Sequence, residues 1–85
     1  MTSAPYQKLQ SEPLNKHEQE LLLFAARWAP YGGGEEFILP QFGISPSLFY
    51  RRVLAALRPV RDHRLTPEMQ QQLTEFCTKK IEKLT

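Results

Sequence analysis

Apolar residues recur at helical spacing in four stretches of the chain, and glycine or proline lies between most of them. Apolar side chains three and four residues apart share one face of a helix, so this spacing is typical of amphipathic helices. The pattern predicts four helices, over residues 16–28, 35–42, 46–57 and 66–84. We therefore expect a small all-α domain of three or four helices, with a helix-turn-helix core and a C-terminal amphipathic helix.

The predicted helices carry recognisable end signals. Asn15 and Glu18 have the spacing of a capping box, in which each side chain accepts a hydrogen bond from the other residue's backbone N–H. Gly43 stands where the second helix must end in a left-handed residue, a conformation that glycine adopts easily. Ser45 is then placed to cap the third helix, and Pro46 suits its first position.

Residues 35–57, EEFILPQFGISPSLFYRRVLAAL, have the layout of a helix-turn-helix unit: two short helices joined by a turn that contains glycine. The apolar residues expected to be buried in this unit are Ile38, Leu39, Phe42, Ile44 and Phe49. Pro40 lacks a backbone N–H and predicts a kink or a short, partly 3₁₀ second helix. On the third helix, one side carries Phe49, Val53, Ala56 and Leu57, and the opposite side carries Ser47, Arg51 and Arg58. Tyr50 and Arg52 fall on its two flanks.

The fourth helix begins at Thr66 and Pro67 and is amphipathic. Its predicted core-facing side consists of Met69, Leu73, Phe76, Cys77, either Lys80 or Ile81, and Leu84. Two interpretations remain open: this side closes the core over the other helices, or it pairs with a second copy of the chain. The predicted organisation is a loose N-terminal arm (1–13), a helix-turn-helix domain (14–64) and a C-terminal packing or dimerisation helix (65–85).

Positive charge is concentrated in one part of the chain. The net charge is only +2, and both ends are electrically balanced. Residues 51–64 contain five arginines and no lysine, offset by Asp62 alone. The planar guanidinium suits phosphate oxygens and the guanine edge, so this segment is consistent with a nucleic-acid-binding face.

Other kinds of chemistry lack a sequence signal. The two histidines are isolated, the acidic pairs are sequence neighbours that point in different directions, and no phosphate-binding glycine motif is present. Cys77 is the sole cysteine and lies on an apolar helix side, which predicts a buried, reduced thiol. We therefore expect a protein that is not an enzyme, needs no cofactor or metal, spans no membrane and resides in the cytoplasm.

Residues 15–57 also resemble a family of small actinobacterial proteins of uncharacterised function that carry a predicted helix-turn-helix. The resemblance rests on Trp28 at the end of the first helix, the glycine turn, Glu35-Glu36 and above all the phrase FGISPSLFY. There are two departures. Arg52 stands where the family usually has an aliphatic residue, which suggests a rotated third helix, and residues 66–85 are charge-balanced where the family is arginine-rich.

These observations predict a DNA-binding protein, a small transcriptional regulator or an architectural factor, whose third helix enters the major groove of duplex DNA. The candidate DNA-binding residues are Ser45, Ser47, Tyr50, Arg51, Arg52, Arg58, Arg61 and Arg64. The alternative is a protein-interaction module that docks on a transcription or regulatory partner through the same helical surface. Leu48 and Leu54, outside the main apolar stripe, favour that alternative.

Overall fold

The structure, a computed structural model, describes residues 12–58, 61–62 and 65–84. The predicted all-α class is confirmed. The helices are α1 (Lys16–Trp28), α2 (Glu35–Phe42), α3 (Pro46–Ala56) and α4 (Pro67–Leu84), with a 3₁₀ turn at Ala29–Tyr31 after α1. In the part of the chain described, no helix is both long and apolar enough to cross a membrane.

The helix ends follow the predicted signals. At the start of α1, Asn15 Oδ1 accepts from the Glu18 N–H at 2.8 Å, and Glu18 Oε1 accepts from the Asn15 N–H at 3.0 Å, so the capping box is complete. At the start of α4, Thr66 Oγ1 accepts from the Met69 N–H at 3.1 Å. These bonds satisfy N–H groups that have no partner within a helix, which explains why local side-chain signals predict both boundaries closely.

A three-residue turn joins α2 to α3, as the bihelical pattern predicts. Gly43 has a φ of 72°, and its N–H donates to the Leu39 carbonyl at 2.8 Å. Ser45 Oγ accepts from the Leu48 N–H at 3.2 Å and caps α3. Pro40 lies inside α2, whose eight residues are α-helical, so the expected 3₁₀ character of this helix is wrong. The α-helix tolerates the proline at the expense of one intrahelical hydrogen bond.

The core surrounds α3, which packs against each of the other three helices. Three phenylalanines from three helices meet at its centre: the Phe24 ring centroid lies 5.3 Å from that of Phe42 and 5.5 Å from that of Phe49. Both contacts are edge-to-face, the arrangement that aromatic quadrupoles favour. Ile38 is fully buried beside them, whereas Leu39 is 59% exposed. The expected burial of Leu39 is wrong, because α2 packs through Ile38 and Phe42.

The apolar side of α4 closes this core, which confirms one of the two interpretations of that helix. Leu73 and Cys77 are fully buried, and Gln70 Nε2 donates to the Leu57 carbonyl at 2.7 Å, which ties α4 to the end of α3. Met69 and Leu84, near the two ends of α4, stay exposed. Pairing of α4 with a second copy remains a prediction.

A short parallel pairing joins the segment before α1 to the connection between α3 and α4. The two-residue strands β1 (Glu12–Pro13) and β2 (Arg61–Asp62) are paired through their backbones. Residues 12–13, predicted as the end of a loose arm, are thus held against the connection between α3 and α4. The remaining residues of the predicted arm, 1–11, lie outside the described part of the chain.

Candidate nucleic-acid interface

The solvent-facing side of α3 follows from the spacing of its buried residues. Phe49, Val53 and Ala56 are fully buried against the neighbouring helices, as predicted. In a helix of 3.6 residues per turn, this places the opposite face about two residues away from each of them. That face is exposed and consists of Leu48, Arg51, Arg52 and Ala55, with Arg58 just beyond the helix.

The three arginines of this face are available for a ligand. The side chains of Arg51, Arg52 and Arg58 form no ion pair or hydrogen bond within the described part of the chain. In addition, α3 itself contains no acidic residue. Their positive charge is therefore not neutralised locally, and the planar guanidinium groups can bind phosphate oxygens or the acceptor atoms of a guanine edge.

The two candidate serines differ in what their hydroxyls can do. The Ser45 hydroxyl oxygen accepts the capping hydrogen bond from Leu48, so its first role is structural. Ser47 lies in the first turn of α3 and is half-buried. Backbone N–H groups at the start of a helix carry partial positive charge, which favours a phosphate near this turn.

Tyr50 does not belong to the exposed face, and its predicted role in contacting phosphate is wrong. Its side chain is fully buried, and its hydroxyl donates to Glu35 Oε2 at 3.2 Å. Its ring contacts those of Phe49 and Phe76, with centroid separations of 5.2 and 5.9 Å. Burial, reinforced by the negative charge of Glu35, raises the pKa of the Tyr50 phenol well above its ordinary value. The phenol therefore stays neutral.

Glu35 joins the two helices of the unit to α4. Besides accepting from Tyr50, its Oε2 atom lies 2.6 Å from Lys80 Nζ. The cluster of Glu35, Tyr50 and Lys80 thus links the start of α2, the middle of α3 and the second half of α4. We infer that it fixes the orientation of α3. Sequence analysis missed Glu35 and Lys80, which lie 45 positions apart and carry no local signal that they meet.

Two further candidates fall at the edge of the described structure. Arg61 is paired through its backbone in β2, but its side chain lies outside what the structure describes. Arg64 lies outside the described residues altogether. The candidate interface is therefore built from Ser47, Arg51, Arg52 and Arg58.

The described residues show no other reactive centre. No group of three or more His, Cys, Asp or Glu side chains among them is arranged to hold a metal ion. Cys77 is buried and unbridged, and burial raises the pKa of its thiol to about 12. Such a thiol is almost entirely protonated at neutral pH and is a poor nucleophile.

Comparisons of the chain with known proteins gave no match. No family model matches it, and neither the curated proteins nor the solved structures contain a significant match. The resemblance to the small actinobacterial family stays a prediction.

Proposed function

We propose that the protein binds duplex DNA through the exposed face of α3 and acts as a small transcriptional regulator or an architectural factor. The observation that carries this proposal is the exposure of Arg51, Arg52 and Arg58 without a partner among the described residues, on the second helix of a bihelical unit. The turn at Gly43 and the capping by Ser45 support the same reading.

In this proposal α3 lies in the major groove, which is about 12 Å wide and admits a helix. Ser47 and Arg51 face base edges, where an arginine pairs with the O6 and N7 atoms of guanine. Arg52 and Arg58 bind phosphates on the flanking strands, which sets the register of the helix without reading sequence. A single small module binds weakly, so a dimer reading two half-sites is the natural route to specificity.

Fluorescence-polarisation titration against mixed-sequence duplexes tests the proposal. We expect Arg51→Ala/Arg52→Ala to abolish binding that the wild type shows at low salt. The matched control is Lys79→Ala/Lys83→Ala, which removes the same charge from two exposed positions on α4. If both double variants lose DNA affinity equally, overall charge explains the effect, and a binding site on α3 is contradicted. If the wild type does not bind at low salt, DNA binding is refuted.

Salt dependence gives a second readout. Each phosphate contact adds about −0.9 to the slope of log affinity against log salt concentration. Arg52 is the proposed phosphate contact of this pair, so loss of Arg51 and Arg52 should make the slope shallower by about one unit where residual binding can be measured. An unchanged slope would show that the Arg52 side chain does not bind a phosphate.

One observation favours a protein partner as the second candidate function. Leu48 is 39% exposed and lies on the same face of α3 as Arg51 and Arg52. Leu54, the other leucine that suggested this function, packs against the core and supports it less. If a protein is the ligand, Leu48→Ser weakens binding of that partner, whereas duplex DNA shows no measurable binding to the wild type.

A further inference from the structure

The outward side of α1 carries an exposed leucine between opposite charges. Leu23 is 70% exposed, Glu20 lies three residues before it and Arg27 four residues after it, so all three share one face of the helix. Glu20 and Arg27 are about 10 Å apart along the axis, which is too far for an ion pair within the chain. Neither forms an ion pair within the described structure.

An open groove between α1 and α2 lies beside this face. It has a volume of about 570 Å³. The lining residues are Glu20, Leu23, Phe24, Arg27, Trp28, Phe37 and Gln41. Trp28 and Phe37 form its aromatic wall, with ring centroids 5.2 Å apart, and Phe37 is 44% exposed. Tyr31, which is 77% exposed, extends the aromatic surface beyond Trp28.

We propose that this groove is the interface of a homodimer, occupied by the α1 helix of a second copy that runs antiparallel. A twofold axis beside the midpoint between Leu23 and Phe24 places Glu20 opposite Arg27 of the partner subunit, because the two positions are equidistant from that midpoint. The symmetry repeats the pair in reverse. Leu23 of each copy enters the groove of the other and packs near Phe37.

The order of the two charges along α1 and the exposure of its apolar side chains together favour a second copy of α1 as the occupant of the groove. Because Glu20 and Arg27 have opposite signs, the face is complementary to itself only in the antiparallel orientation, whereas a parallel pairing would oppose like charges. Exposed ion pairs add little affinity by themselves, so the apolar groove supplies the binding and the charges set the direction.

The alternative dimer surface on α4 offers less. Met69 and Leu84 are its large exposed apolar side chains, and their separation of fifteen positions corresponds to about 22 Å along the helix. Of the apolar residues between them, Leu73 and Cys77 are buried in the core, and Phe76 and Ile81 are partly buried against it. These side chains already pack within the chain.

Sedimentation equilibrium on the full chain tests the dimer by charge exchange. The wild type is expected to show a monomer–dimer equilibrium. Glu20→Arg and Arg27→Glu, each alone, should weaken association by about tenfold or more, because each places like charges opposite one another twice. The double exchange Glu20→Arg/Arg27→Glu should restore it, because the pairs re-form with reversed signs.

Leu23→Ser should also weaken the dimer, and thermal unfolding by circular dichroism checks that each variant stays folded. A monomeric wild type, or a double exchange that fails to restore association, would overturn the proposal. So would a dimer that Leu23→Ser leaves intact and that Met69→Ser/Leu84→Ser dissociates, which would assign the interface to α4. No α3 arginine lines the groove, so Arg51→Ala/Arg52→Ala should still dimerise, and this outcome is independent of DNA binding.

Discussion

Replacing Gly33 by alanine should destabilise the protein strongly, because this glycine lies directly against the cluster of Glu35, Tyr50 and Lys80, in which the Tyr50 side chain is fully buried. Gly33 has a φ of 114°, a region that residues with a Cβ atom rarely adopt. A Cβ at this position would lie 2.5 Å from the Tyr50 hydroxyl oxygen, and 3.2 Å from both Lys80 Cε and Phe76 Cζ. Tyr50 is fully buried, so its ring has little room to move away.

The expected loss of unfolding free energy has two parts, and the same substitution at the neighbouring Gly32 measures one of them alone. The positive φ costs a residue with a Cβ about 1–2 kcal/mol. Overpacking against a buried side chain adds about 1–3 kcal/mol, so Gly33→Ala should lower the free energy of unfolding by about 2–5 kcal/mol in total. Gly32 has a φ of 93° and open space where its Cβ would be, so Gly32→Ala carries the first cost alone. The difference between the two variants measures the collision with Tyr50.

Urea unfolding monitored by circular dichroism provides the assay, with fluorescence of Trp28, the sole tryptophan, as a second probe. A double-mutant cycle with Tyr50→Phe assigns the effect. Tyr50→Phe alone should cost about 0.5–1.5 kcal/mol, the usual net value of a hydrogen bond. In Gly33→Ala/Tyr50→Phe the closest contact is gone, so the combined cost should fall below the sum of the single costs by about 1–3 kcal/mol.

Two outcomes would contradict the expected collision with the Tyr50 hydroxyl group. Equal destabilisation by Gly33→Ala and Gly32→Ala would mean that the close approach to Tyr50 is absent. Additive costs in the double-mutant cycle would mean that the alanine collides with something other than the hydroxyl group.

Three further predictions concern stability. Asn15→Ala removes the side-chain cap of α1 and should cost about 1 kcal/mol, seen as a lower urea midpoint; an unchanged midpoint would contradict the capping role. Glu35→Ala leaves the buried Tyr50 hydroxyl without its acceptor and should cost about 1–3 kcal/mol, whereas Glu36→Ala, at an exposed neighbouring position, should cost much less; equal costs would argue against the cluster. The pKa of Cys77 is raised from an ordinary value near 9 to about 12, so stability is fully present below pH 9 and is lost as the pH rises towards 12. The slope from this thiol should reach about 1.4 kcal/mol per pH unit, and Cys77→Ala should remove that contribution from urea titrations at alkaline pH; an identical slope in the variant would show that the thiol is not buried.

Helix boundaries could be predicted from the sequence because local bonds determine them. The capping box at Asn15, the left-handed Gly43 and the proline after Ser45 each act within a few residues, and the structure contains all three. The buried side of α3 could also be predicted, because Phe49 and Val53 recur at helical spacing. These features can be predicted without knowing which helices pack against each other.

The errors came from contacts between distant parts of the chain. Tyr50 sits on the flank of α3, and its burial depends on Glu35 and Phe76, which no periodicity within α3 reveals. Leu39 is expected from the sequence to be buried, but α2 instead buries Ile38 and packs Phe42 edge-to-face against Phe24. The pairing of β1 with β2 joins segments about fifty residues apart through backbone bonds, which side-chain patterns do not encode.

The arginine face was predictable in part. The exposure of Arg51 and Arg58 follows from the helical wheel, and Arg52, expected on a flank of the helix, is exposed as well. The sequence alone does not show that no described acidic side chain pairs with these arginines, nor that Glu35 pairs instead with Lys80 on α4.

Amide chemical-shift mapping of the isotope-labelled protein, titrated with a DNA duplex, shows whether α3 contacts DNA. We expect the largest shift changes at Ser47, Arg51, Arg52 and Arg58, with little change at Lys79 and Lys83 on α4. Perturbations confined to α4 or to the groove between α1 and α2, or no saturable change at low salt, would contradict DNA contact through α3.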